Sequence, residues 1–189
     1  MNPQVTNLGI MLFMMQANKK VPWELPETML YVRVGYLVSN LLIFALYAYM
    51  YTGIVRKDDL TTLKYVEPPS AMSGESDKKL VTTTVKDYDL AQLKSAFTQG
   101  FLGIGMIGVM HVYFKMNQPL IIQSILPLKG VLETNLAKIH IWGSPATGDL
   151  KRPFKAAPGM FGGAAGGPST DKKAVQEAEK TSRGGVKEE

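Results

Sequence analysis

MLYVRVGYLVSNLLIFALYAYMYTGI, residues Met29–Ile54, carries a single charged side chain, Arg33, in a run long enough to cross a bilayer. Pro26 and Glu27 just before it suit the first turn of a helix, where proline loses no hydrogen bond and acid meets the positive end of the dipole. Tyr31 and Tyr36 lie towards one end of the run, and Tyr47, Tyr49 and Tyr51 towards the other. Aromatic rings at both ends form the belt expected at two membrane–water interfaces. Arg56-Lys57 stops the run. The core helix of a soluble domain rarely extends this far without a polar break. The pattern predicts a spanning helix over 27–54.

A second run follows the polar stretch 55–88. Asp89 is a candidate cap, with Gln92 placed to reach back. From Ser95 to Phe114 there is no formal charge, and Gly100, Gly103, Gly105 and Gly108 fall inside the run. Glycine weakens a helix in water by about 1 kcal/mol relative to alanine. In a membrane, small residues let helices approach closely, so Ala96, Gly100 and Gly103 are read as a packing face. The predicted helix is 89–116, ended by Asn117-Gln118-Pro119.

Two shorter pieces flank these. Residues 3–19, opened by Asn2-Pro3 and closed by Asn18-Lys19-Lys20, would make a helix of roughly 25 Å, against a hydrocarbon core of about 30 Å. It has no basic segment in front and no small-residue cleavage site behind, so it reads as an uncleaved anchor with a translocated N-terminus. Residues 119–134, interrupted by Pro127 and Lys129, read as an interfacial or re-entrant amphipathic helix. Ile139 and Ile141 alternate with Lys138, His140 and Trp142, as in a short strand or interface anchor.

The expected fold class is therefore an all-α membrane protein. Residues 1–135 form a small bundle of about three transmembrane helices plus an interfacial helix, with a polar loop at 55–88. Residues 136–189 form a flexible basic tail, with a glycine-rich linker at 159–168 and a short charged helix at about 171–181. If both long helices cross, Lys19-Lys20 and the tail share one side and the 55–88 loop lies on the other. Six Lys/Arg in that loop blur the positive-inside rule, while the lysine pair and the basic tail favour a cytosolic C-terminus.

At about 100° per residue, Arg33, Tyr36, Asn40 and Tyr47 fall on one sector of their helix. Ala96, Gln99, Gly100, Gly103 and His111 do so on theirs. Two facing polar seams suggest a partly hydrated groove lined by Arg33, Tyr36, Asn40, Tyr47, Gln99 and His111. The plainer readings stand beside it: Arg33 snorkels to headgroups, His111 lies at the interface, and Asn40 and Gln99 bridge helices. Met11, Met14 and Met15, with Met106 and Met110, offer flexible surfaces for varied apolar ligands, or fill gaps in a bundle. Lys151, Arg152 and Lys155 surround Pro153 and Phe154, a mixture able to meet RNA phosphates or acidic lipid, or to act as a solvated linker.

Chemistry is sparsely signalled. The chain of 189 residues has no cysteine and two distant histidines, His111 and His140, and its net charge is +5. No acid lies in the uncharged spans, so no metal site is expected. No phosphate-binding loop, zinc-protease helix or nucleophile elbow occurs, and no cofactor or catalytic residue is expected.

Several blocks carry more. Met1–Val5 (MNPQV), Thr61–Pro68 (TTLKYVEP), Ala71–Glu75 (AMSGE), Asp87–Leu90 (DYDL) and Pro145–Lys155 (PATGDLKRPFK) occur in that order. With these blocks the chain resembles, over essentially its whole length, the fungal inorganic-phosphate-transport protein eighty-eight family. That family is also the third component of the SRP-independent (SND) targeting pathway. The resemblance implies a non-enzymatic, multi-pass endoplasmic-reticulum membrane protein. It implies a role in targeting or inserting membrane proteins, with the protein-conducting translocon, translating ribosomes, nascent membrane-protein clients and other SND components as partners beside the lipid bilayer. In that setting the methionines would contact clients, and Lys151, Arg152 and Lys155 would contact ribosome or lipid. A structural accessory subunit of the translocon and a small phosphate-transporter component are the alternatives.

Overall fold

A computed structural model describes residues 3–67 and 79–154, together with Thr170 and Val175. Lys155, the 159–168 linker, the Ala71–Glu75 block and nearly all of the 171–181 helix lie outside the described residues. The elements are α1 (Pro3–Asn18), α2 (Pro26–Lys57), β1 (Thr62–Glu67), β2 (Lys79–Thr84), α3 (Val85–Val112), α4 (Gln118–Glu133) and α5 (Asn135–His140), followed by a 3₁₀ turn at Gly148–Leu150. The protein is mostly helical. An expectation of helices alone is corrected by the antiparallel hairpin β1–β2, which pairs Thr62 with Thr84 through to Glu67 with Lys79.

Helix limits follow local chemistry. Leu25 O accepts from the N–H groups of Thr28 and Met29, so α2 opens around Pro26, and Arg56 and Lys57 complement its C-terminal dipole. Asp58, with φ of 42°, ends it; aspartate tolerates that left-handed region better than most residues. α3 begins at Val85, not at 89, because Thr84 is the cap. Asp87 N–H donates to Thr84 Oγ1 at 3.1 Å, and the Thr84 hydroxyl donates to Asp87 Oδ2 at 2.8 Å. α3 stops at Val112, and Lys115 (φ 57°) turns the chain. The segment read as a strand or anchor at 138–142 is largely helical. Thr134 Oγ1 accepts from Ala137 N–H at 3.2 Å, and Leu136, Ala137 and Ile139 are buried. A cap and one apolar helical face decide against the alternation.

The chain forms two compact units, one within residues 1–53 and 91–143 and the other within 54–90 and 144–189. In the first, α1 packs on α4, where Lys129 Nζ donates to Asn7 Oδ1 at 2.7 Å and pairs with Glu133 at 2.6 Å. Tyr36, Ile107 and Leu120 join α2, α3 and α4 in a buried cluster, with Val32 and Met110 against it. The Ser39 hydroxyl donates to the Ser124 carbonyl, a second tie from α2 to α4. α2 and α3 are long and apolar enough to cross a membrane. Leu30, Leu37, Leu41, Phe101, Leu102 and Met106 point outward and exposed. So large an apolar surface suggests association with a membrane.

The second unit is small and aromatic. Tyr65 of β1 stacks edge-on to Tyr88 of α3 at 5.7 Å, and Tyr88 to Phe154 at 5.6 Å. The Phe154 N–H donates to the Tyr88 hydroxyl at 2.8 Å. Beside them Arg152 donates from Nε and Nη2 to the two oxygens of Asp89, each at 2.6 Å, with side-chain exposures of 9% and 2%. Residues 144–154 are thus folded here and are not tail.

Candidate functional site

The first unit contains a cavity of about 340 Å³. α2 contributes Tyr36, Asn40, Phe44 and Tyr47; α3 contributes Ala96, Gln99, Gly100 and Gly103; α4 and its end contribute Gln123, Pro127, Gly130 and Thr134. Two adjacent seams at helical spacing therefore reach one space. Its polar groups are neutral. Asn40 Nδ2 donates to Tyr36 O at 2.8 Å, and Gln99 Nε2 to Ser95 Oγ at 3.1 Å, each within its own helix. The lining rings Phe44 and Tyr47 lie 6.5 Å apart, and Phe97, outside the lining, packs on both at 5.2 and 6.3 Å. Gly100 faces Tyr47, where an added Cβ would lie 3.9 Å from the ring and hydroxyl, an ordinary contact, so a small side chain would fit there.

Arg33 and His111 are brought together elsewhere. Arg33 Nε donates to His111 Nε2 at 3.1 Å, and neither side chain lines the cavity. That acceptance assigns the ring proton to Nδ1, which is buried and has no hydrogen-bond partner among the described residues. The methionines are dispersed: Met14 is buried, Met110 packs on the α2–α3–α4 cluster, Met15 faces a separate cleft beside Met116, and Met106 is exposed. None of them lines the cavity among the described residues. Met50, buried to 1% exposure, went unremarked in the sequence.

α4 supplies the lining that sequence reading missed. Pro127 has no N–H for the carbonyl of Gln123, so the helix loses a rung beside the cavity. The only advance signal was that proline, with Gly130 close behind it.

In the second unit Arg152 does not face outward as a phosphate contact; its guanidinium is committed to Asp89, while Lys151 is exposed. Burial, then the neighbouring Glu67 carboxylate, pushes the Tyr65 phenol well above its ordinary range. Asp59 is held below the usual carboxylate range, chiefly by hydrogen bonds from Thr61. The blocks TTLKYVEP, DYDL and PATGDLKRPFK, far apart in the chain, meet here through Tyr65, Tyr88, Asp89, Arg152 and Phe154.

A family model described as phosphate transport (Pho88) matches residues 1–186. Over 190 residues the chain is 50% identical to SRP-independent targeting protein 3 of Saccharomyces cerevisiae, covering all of both chains. It is 38% identical over 180 residues to the SRP-independent targeting protein 3 homolog of Schizosaccharomyces pombe, covering 95% of this chain and 92% of that one. An uncharacterised S. pombe protein is 44% identical over 163 residues, 86% of this chain and 81% of its own. No solved structure matches.

Proposed function

The chain belongs to the Pho88 family, and on that premise we propose that it is a multi-pass endoplasmic-reticulum membrane protein assisting SRP-independent targeting and insertion of membrane proteins. The observation that carries the reading is the cavity between α2, α3 and α4, apolar and aromatic with a few neutral amides and hydroxyls. A charged or polar flank placed in mid-bilayer costs roughly 2.5–3.5 kcal/mol on insertion scales. Asn40, Gln99, Gln123 and Thr134 would hold water against such a flank, while Phe44 and Tyr47 would accept its apolar neighbours. α1, 16 residues and so roughly 24 Å long, would sit in a locally thinned bilayer. The translocon and the translating ribosome are the partners in this reading, and exposed Lys151 is the cation offered to ribosome or lipid.

The rival of phosphate transport takes its support from the family description. The cavity lining has no arginine, lysine or histidine among the described residues, which suits a phosphate poorly. The other rival, a brace for the translocon without client contact, is separated by experiment. Asn40→Leu, Gln99→Leu and Gln123→Leu together should reduce insertion of clients with charged flanks in microsomes that retain normal amounts of the protein. Unchanged insertion would favour the brace. Photocrosslinking from Phe44 should yield nascent-chain adducts, and adducts to translocon subunits alone would defeat the insertion reading.

A further inference from the structure

The second unit fixes how often the chain crosses the bilayer. Arg152 and Asp89 share a bidentate, buried ion pair, and Phe154 N–H bonds Tyr88. Two groups in direct contact lie on one side of a membrane. Given the membrane-spanning reading above, on which this rests, the chain between Leu90 and Ser144 must cross an even number of times. α3 is one crossing. The other can only be made by α4 with α5.

We infer that α4 is a transmembrane return, so that the β1–β2 hairpin and residues 144–154 lie on one side, the cytosol, and the turns at 19–25 and 113–117 on the other. The first unit has the alternation this needs. Asn7, near the start of α1, meets Lys129, near the end of α4, so these two helices run antiparallel. Arg33, early in α2, meets His111 at the end of α3, and Phe44 meets Phe97 further along, so these are antiparallel as well. Trp23, Lys115, Met116 and Asn117 line one cleft, which brings the two turns together at one end.

α4 can tolerate the crossing. Its 16 residues span roughly 24 Å, the same as α1. Two of its polar groups are held by protein partners: the Ser124 hydroxyl donates to Leu120 O at 2.7 Å, and Lys129 is held by Asn7 and Glu133. Reading 119–134 as interfacial is thereby revised, as are a hairpin and C-terminal region on opposite sides and a translocated N-terminus. The charge rule then decides. Arg56, Lys57, Lys64, Lys79 and Lys86 join Lys151 on one side, against Lys19, Lys20 and Lys115 on the other.

The absence of cysteine makes the test direct, because any introduced cysteine is the only thiol in the chain. Thr62→Cys, Lys151→Cys, Glu24→Cys and Phe114→Cys, all at exposed positions, are placed singly in the full-length protein in sealed microsomes. They are treated with a membrane-impermeant maleimide before and after detergent. Thr62→Cys and Lys151→Cys should label in sealed vesicles, and Glu24→Cys and Phe114→Cys only after detergent. Leu60→Cys and Thr147→Cys serve as second positions should either of the first pair express poorly. A Lys151→Cys protected alongside Phe114→Cys overturns the return crossing. Protection of Thr62→Cys and Lys151→Cys together, with Glu24→Cys and Phe114→Cys labelled, overturns the cytosolic assignment. Labelling of all four in sealed vesicles instead defeats the membrane-spanning reading itself.

Discussion

The cavity lining of the helical unit and the core of the hairpin unit hold their polar groups in opposite ways. Around the cavity the polar side chains are neutral, and Asn40 and Gln99 are bonded within their own helices, to Tyr36 O and Ser95 Oγ. Such bonds satisfy the groups without fixing one helix against the next. The hairpin unit spends a full ion pair across 63 residues of sequence, backed by stacked Tyr65, Tyr88 and Phe154. One arrangement leaves a polar space that can admit a guest, and the other closes a core. Where a polar side chain finds its partner, within its helix or across the chain, separates a groove from a clamp.

The contrast can be broken most severely at the ion pair. Asp89→Ala or Arg152→Ala should cost the hairpin unit about 3–5 kcal/mol, since each removes one partner of a buried ion pair. Asp89→Leu combined with Arg152→Leu should lose much less. Limited proteolysis of the detergent-solubilised protein reads this as early cleavage within 58–90, and equal loss in the double variant would deny the pair its ionic character. Tyr88→Phe comes next, at about 1–3 kcal/mol, because the Phe154 N–H loses its acceptor. Thr84→Ala should cost about 1 kcal/mol through the cap of α3, visible as faster amide exchange in its first turn.

A pH ramp acts more gently on the same unit. The folded Tyr65 phenol titrates above the unfolded value of about 10, so its contribution is full below that pH and declines as pH rises beyond it. Difference absorbance near the phenolate band should show a late-titrating component that shrinks in Tyr65→Phe. The smallest change in stability belongs to the cavity: Asn40→Leu and Gln99→Leu should each stay within about 0.5 kcal/mol in thermal denaturation while reducing insertion. A large stability loss there would make the cavity a structural core like the other.

The sequence exposed what periodicity and composition encode. α2 and α3 were readable from uninterrupted apolar runs, and a turn of about 100° per residue placed Tyr36, Asn40 and Tyr47 on one sector and Gln99, Gly100 and Gly103 on another. Partnership across the chain was not readable. Asp89 looked like a cap because a local acid before an apolar run is usually one, and nothing nearby announces an arginine 63 residues later. For the same reason Arg152 looked like a free cation. Gln123 and Thr134 were missed because α4, cut by Pro127 and Lys129, reads as too broken to cross. Only contact with Asn7 shows how its lysine is accommodated.

The distance in sequence between Asp89 and Arg152 also sets a timetable. At about 5–20 residues per second of synthesis, the arginine emerges roughly 3–13 s after the aspartate it neutralises. During that interval the start of α3 lacks the guanidinium that meets Asp89, and the hairpin lacks Phe154 against Tyr88. The hairpin unit therefore cannot be completed until α4 and α5 have been made, so its assembly is a late step in the protein's own biogenesis.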